Sequence, residues 1–198
     1  MKKVVVNKKL AFTIIEIMVA ISISAILILI VNRFIVQSYK AITFNTEQEQ
    51  AIEEARDALD LMVKEIRGTN LSEQGAYSLS NIQEQDFTYY GDIDGDKETE
   101  KIRYFLDFDN SELKRVIVEP GLSRDYSGAG ATSTIANYVN NQNDPLFIYY
   151  DSNYSETGLI NEVRLINLQL KINITPERAP RDYWARTDVY LRNLRSNL

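Results

Sequence analysis

Three aspartates alternate in the stretch Asp92-Ile93-Asp94-Gly95-Asp96, and Glu98 and Glu100 follow at once. Alternating carboxylates suit Ca²⁺, a hard cation that takes six to eight oxygen ligands. The spacing is not that of an EF-hand, whose loop needs Gly at its sixth position, where Lys97 stands, and Glu at its twelfth, where Arg103 stands. The same residues spell an Asp-Gly turn between the strand-like runs Asp86–Tyr90 and Ile102–Phe108. The turn is the reading adopted from sequence, with no metal site and no cofactor expected. A second carboxylate, Glu16, stands alone in the apolar run Phe12–Val31, where an acid is expensive and calls for a partner. His and Cys are both absent, which removes imidazole bases, thiolate nucleophiles and disulfides. No Gly-rich phosphate loop is present and nothing pairs the remaining carboxylates, so no catalytic residue is assigned and no enzyme is expected. Among the aromatic residues, Tyr89-Tyr90 and Tyr149-Tyr150 lie on strand-like runs, so one ring of each pair is expected in the core. Trp184, after Pro180, is a candidate for an exposed tip.

The segment that must position Glu16 is twenty residues long, FTIIEIMVAISISAILILIV, and as a helix it spans about 30 Å, the thickness of the hydrocarbon core of a bilayer. Lys2, Lys3, Lys8 and Lys9 precede it, which keeps the amino terminus in the cytoplasm and exports the rest. A secretory signal cut after its apolar run is disfavoured, because the run ends in Val31-Asn32-Arg33-Phe34 with no pair of small residues. A plain signal anchor accounts for the lysines and the length but leaves Glu16 facing lipid or forced neutral. Neither Pro nor Gly occurs between Phe12 and Arg67, so the helix is expected to run to Arg67 with Gly68 at its C-cap. In its second half Ala51, Ala55, Leu59, Met62 and Ile66 recur at spacings of 4, 4, 3 and 4, one face of an amphipathic helix.

Beyond Thr69 the pattern changes to β. Strands are expected at Asp86–Tyr90, Ile102–Phe108, Leu113–Val118, Leu146–Tyr150, Val163–Ile174 and Ala185–Leu191, joined by short connections into an antiparallel sheet. From Asn167 the run Val163–Ile174 partly alternates, one face for the helix and one for solvent. Residues 121–143 read as a long loop with a helical turn near Ser133–Val139, and Pro176 and Pro180 mark a hairpin tip. The fold class is therefore α+β: a long helix, membrane-spanning then amphipathic, packed on an antiparallel sheet. The chain has 198 residues, 44% hydrophobic and 25% charged, enough for one domain and an anchor. Its net charge is −6 even with the four leading lysines, so nucleic acid is not an expected partner.

The order Lys-Lys-Leu-Ala-Phe-Thr-Ile-Ile-Glu (residues 8–16) resembles the class III signal of type IV pilins and type II secretion pseudopilins. That family has a short basic leader, a small residue before the cut, Phe as the first mature residue, Glu as the fifth, and an apolar helix after it. Here Ala11 stands where Gly is usual, and the helix-breaking Pro often found partway along is missing. The resemblance implies a leader of residues 1–11, cleavage by prepilin peptidase between Ala11 and Phe12, and N-methylation of Phe12. It also implies a membrane and filament-core helix at 12–31, an amphipathic continuation at 32–68 and a β-rich body at 69–198. Glu16 would set assembly register by pairing with the Phe12 amine of a neighbour. The implied partners are the peptidase, other pilins or pseudopilins, the inner-membrane assembly platform and membrane lipid. The implied location is the cytoplasmic membrane, then a periplasmic or extracellular filament. The body is similar to J-type minor pseudopilins and W-type minor pilins in Asp92-Ile-Asp-Gly-Asp with Lys101-Ile-Arg-Tyr-Phe-Leu, in Pro145-Leu-Phe-Ile-Tyr-Tyr-Asp and in Val189-Tyr-Leu-Arg-Asn. The expected function is thus a minor subunit that initiates or caps a filament. The alternative is a membrane-tethered adhesin or calcium-binding module that never polymerises.

Overall fold

One helix, α1 (Ile14–Arg67), carries the first third of the chain, and the computed structural model describes residues 12–174 and 182–191. By internal contacts the chain divides into two units, Met1–Thr46 and Glu47–Leu198. In the first unit the helix from Ile17 to Val31 is apolar on all sides and exposed, as at Ile17, Val19, Ile21, Ile26 and Leu29. Such a helix has no protein core to enter and is long and apolar enough to cross a membrane. Its hydroxyls are satisfied within the helix: Ser22 Oγ donates to the Met18 carbonyl at 2.9 Å and Ser24 Oγ to the Ala20 carbonyl at 2.8 Å. That removes the cost of bare hydroxyls in hydrocarbon.

In the second unit the helix residues 47–67 pack on two antiparallel sheets. The five-stranded sheet has the order β1 (Leu79–Gln83), β2 (Asp86–Gly91), β3 (Glu100–Asp107), β4 (Glu112–Val118), β5 (Ala131–Ala136). The three-stranded sheet has the order β6 (Phe147–Tyr150), β7 (Leu165–Ile172), β8 (Tyr183–Tyr190). The expected helical face is the buried one, with Ala55, Met62 and Ile66 at 0% exposure. It meets an aromatic cluster in which the Phe87 ring lies 5.3 Å from Tyr89, 5.4 Å from Phe147 and 5.9 Å from Tyr149. Tyr89 and Tyr149 are the core members of their pairs, while Tyr90 and Tyr150 are half-exposed.

Polar ties fix the helix across the sheets. Glu65 accepts from Arg115 Nη1 of β4 at 2.6 Å and from the Tyr104 hydroxyl of β3, and Arg56 Nη2 donates to the Tyr183 hydroxyl of β8 at 2.7 Å. The sheets are joined at the β1–β2 turn, where the Glu84 carbonyl accepts from the backbone of Leu146 and Phe147 and the Gln83 carbonyl accepts from the Tyr149 hydroxyl at 2.9 Å.

The antiparallel packing expected of the strands is present, spread over two sheets. Other expectations are corrected. Residues 131–136 form β5 rather than a helical turn, and Thr132, Thr134 and Ile135 supply the β-branched side chains that favour it. The close approach before β5 needs glycine, since a Cβ on Gly130 would lie 2.4 Å from Val116 Cγ1. Leu79–Gln83 was not expected as a strand, because its polar Ser80, Asn81 and Gln83 hide the pattern. Trp184 is no tip: it is a half-buried residue of β8 opposite Lys171, with the Arg186 guanidinium carbon 4.6 Å from its ring centre. Gln169 is also buried, so β7 is covered on both faces over part of its length. The hairpin tip expected at Pro176 and Pro180 lies outside the described residues.

Candidate functional site

The amino-terminal site begins at Phe12, which is 78% exposed; Ala11 lies outside the described residues. The first helical turn is closed by a reciprocal pair of bonds. Thr13 Oγ1 accepts from the Glu16 backbone N–H at 3.3 Å, and Glu16 Oε2 accepts from the Thr13 N–H at 3.4 Å. This is a capping box, and it satisfies two of the donors that a helix start leaves open. A carboxylate in the first turn also lies at the positive end of the helix dipole. The Thr-x-x-Glu spacing just before an apolar run is the box's signal in the sequence. It gives Glu16 a role within a lone helix, which the expectation of a pairing between subunits did not include.

The acidic turn lies at the opposite end of the chain's chemistry, in the 92–99 connection between β2 and β3. Asp92 Oδ1 accepts from the Gly95 N–H at 2.7 Å and its Oδ2 from the Lys97 N–H at 3.2 Å. Asp94 accepts from the Asp96 N–H and Asp96 from the Glu98 N–H. Gly95 adopts φ +87°, where a side chain would be strained, so the Asp-Gly turn expected from sequence is present. Glu100 differs from the others. It opens β3 on the inward-facing register and is fully buried. Its Oε2 accepts from the Ile93 N–H at 2.8 Å. Burial pushes its carboxyl up to about 7; the bond from Ile93 works against this, and the nearby carboxylates of Glu119, Asp94 and Asp92 add to the rise. One oxygen from each of Asp92, Asp94, Asp96 and Glu100 lies within 4.8 Å of the others. The loop is held from outside as well: Glu73 accepts from the Thr99 N–H at 3.1 Å, and the Tyr126 hydroxyl donates to the Thr99 carbonyl at 2.7 Å. The sequence placed the aspartates together but did not show that Glu100 turns inward.

Residues 6–32 match the family described as the prokaryotic N-terminal methylation motif. The matched stretch contains the basic residues, the Ala11-Phe12 junction, Thr13, Glu16 and the apolar run. The chain therefore carries the prepilin-type signal of type IV pilins and pseudopilins, and with it the mark of a membrane-anchored, processed structural subunit. The motif implies processing by prepilin peptidase and assembly with other pilins. No curated protein and no solved structure matches the chain.

Proposed function

We propose that the chain is a minor pilin or pseudopilin, a non-enzymatic subunit that starts or caps a type IV pilus or a type II secretion-like filament. The observation that carries this reading is the methylation motif at 6–32, which overlaps the start of an apolar helix that leads into a separately folded β-rich unit. On this reading residues 1–11 are a leader, residues 12–31 anchor the chain in the cytoplasmic membrane and later pack in the filament core, and residues 32–68 extend the helix into the exported body. Prepilin peptidase cuts between Ala11 and Phe12 and methylates the new Phe12 amine. The assembly platform then moves the subunit out of the bilayer. As neighbouring helices close around it, water leaves, and the Glu16 carboxylate pairs with the Phe12 amine of an adjacent subunit, since a carboxylate stripped of water needs an opposite charge. The initiating or capping role rests on the resemblance of three short stretches, 92–96 with 101–106, 145–151 and 189–193, to J-type and W-type minor subunits.

Sequencing the mature amino terminus tests the reading. The expected start is Phe12, and Ala11→Gly is expected to be cut at least as well as the parent. A start at Met1, or after Val31, overturns it. One observation favours the tethered module instead: the Thr13–Glu16 capping box explains an acid at this position with no neighbour.

A further inference from the structure

We propose that Asp92, Asp94, Asp96 and Glu100 together bind one Ca²⁺ ion at the tip of the β2–β3 hairpin. Ca²⁺ holds its oxygens at about 2.3–2.6 Å, so two ligands of one ion stand at most about 5 Å apart. The four carboxylates already meet that limit, with one oxygen each inside 4.8 Å. The turn itself accounts for the three aspartates, whose oxygens accept backbone N–H groups at 2.7 to 3.2 Å. It accounts for only one oxygen of Glu100. That residue is fully buried, its Oε2 holds the Ile93 N–H, and its Oε1 is buried without any hydrogen-bond partner.

An unsatisfied buried carboxylate oxygen beside three other carboxylates is costly in a protein without a cation. Among the described residues none of these four acids forms an ion pair with Lys or Arg, although Lys97 lies in the same loop. An inward position on β3 is otherwise filled by Ile102, Tyr104 and Leu106, so structure alone would favour an apolar residue at 100. A divalent ion supplies the missing positive charge and gives the buried Glu100 carboxylate a partner beyond the Ile93 N–H. The ligand set is all oxygen, which selects a hard cation over transition metals. A cluster of carboxylates on a turn suits the irregular, high-coordination shell of Ca²⁺ better than the strict octahedron of Mg²⁺. The site does not depend on whether the chain polymerises.

The test uses the full chain in detergent micelles, stripped of metal with a chelator and titrated with Tb³⁺ and with Ca²⁺. The Tyr90–Tyr126 ring pair, 5.0 Å between centres and tied to the loop through Thr99, is placed to sensitise Tb³⁺ luminescence. Luminescence is expected to saturate at one ion per chain and to be displaced by Ca²⁺ with a dissociation constant between about 10⁻⁵ and 10⁻³ M. Asp94→Asn changes an exposed side chain and keeps the oxygen that caps the turn, so it should fold and lose at least tenfold in affinity. Glu100→Gln should lose as much. Absence of saturable binding to the parent up to about 10 mM Ca²⁺, well above the weak end of extracellular modules, overturns the site. So does unchanged affinity in both variants, and displacement of Tb³⁺ by Mg²⁺ as readily as by Ca²⁺ overturns the choice of ion.

Discussion

Replacing Glu16 with Gln and, separately, with Leu distinguishes the two roles now open to this acid. Gln retains an oxygen for the Thr13 N–H and so retains the capping box, but it has no charge; Leu has neither. The bonds of the box are 3.3 and 3.4 Å, longer than the usual 2.9–3.0 Å, which puts its worth at the low end of capping energies, about 0.5–1 kcal/mol. Loss of the box alone should therefore shift local helix opening by no more than about fivefold. An ion pair in a dehydrated filament core is a different matter. Removing the carboxylate leaves the Phe12 amine of a neighbour buried and uncompensated, at about 3–5 kcal/mol, or roughly two to four orders of magnitude in incorporation. Both variants should insert in the membrane and be cleaved before Phe12. If charge sets the register, both should fail to crosslink to the major subunit, whereas Thr13→Val, which removes only half of the box, should assemble within a few-fold of the parent. If Glu16→Gln assembles like the parent and only Glu16→Leu fails, the acid is a cap and the pairing argument is refuted.

Two further outcomes concern the body. Leu59→Asp places a carboxylate at a site 5% exposed and removes packing worth about 2–5 kcal/mol in a core of this kind, so the second unit should lose its cooperative melt by circular dichroism; an unchanged melting temperature would show that the helix does not pack as described. Glu65→Ala leaves Arg115 and the Tyr104 hydroxyl without their acceptor at a site where the Arg115 side chain is 19% exposed, and should lower the unfolding free energy by about 2–4 kcal/mol in urea; a change under about 0.5 kcal/mol would mean that the helix–sheet ties carry little.

How much of this was legible depended on how local each signal is. The helix, its buried face and six of the strands follow from periodicity and from the absence of breakers, which are properties of short windows. The split into two sheets is not local. It depends on contacts between residues far apart in the chain, as Asn141 shows: it is fully buried, its side chain donates to the Gln169 carbonyl at 3.0 Å and accepts from the Lys171 N–H at 2.7 Å. One asparagine thus fastens the stretch before β6 onto β7, and no pattern in the sequence announces it. β5 was hidden for a related reason. Four of its six residues are exposed, so it lacks the apolar alternation that marks a strand, and it is held by pairing to β4 and by the room that Gly130 leaves beside Val116.

The acidic turn combines both cases. Asp-Ile-Asp-Gly-Asp declares a turn by composition, and the turn is there. Whether it does more rests on Glu100, whose meaning depends on strand register: one residue of slip would put its carboxylate in solvent. Pairing with Gly91 across β2 fixes it inward instead. At that position a charged carboxylate opposes folding unless something positive meets it, so the same register that makes Glu100 illegible from its neighbours makes it the residue from which a bound cation is inferred.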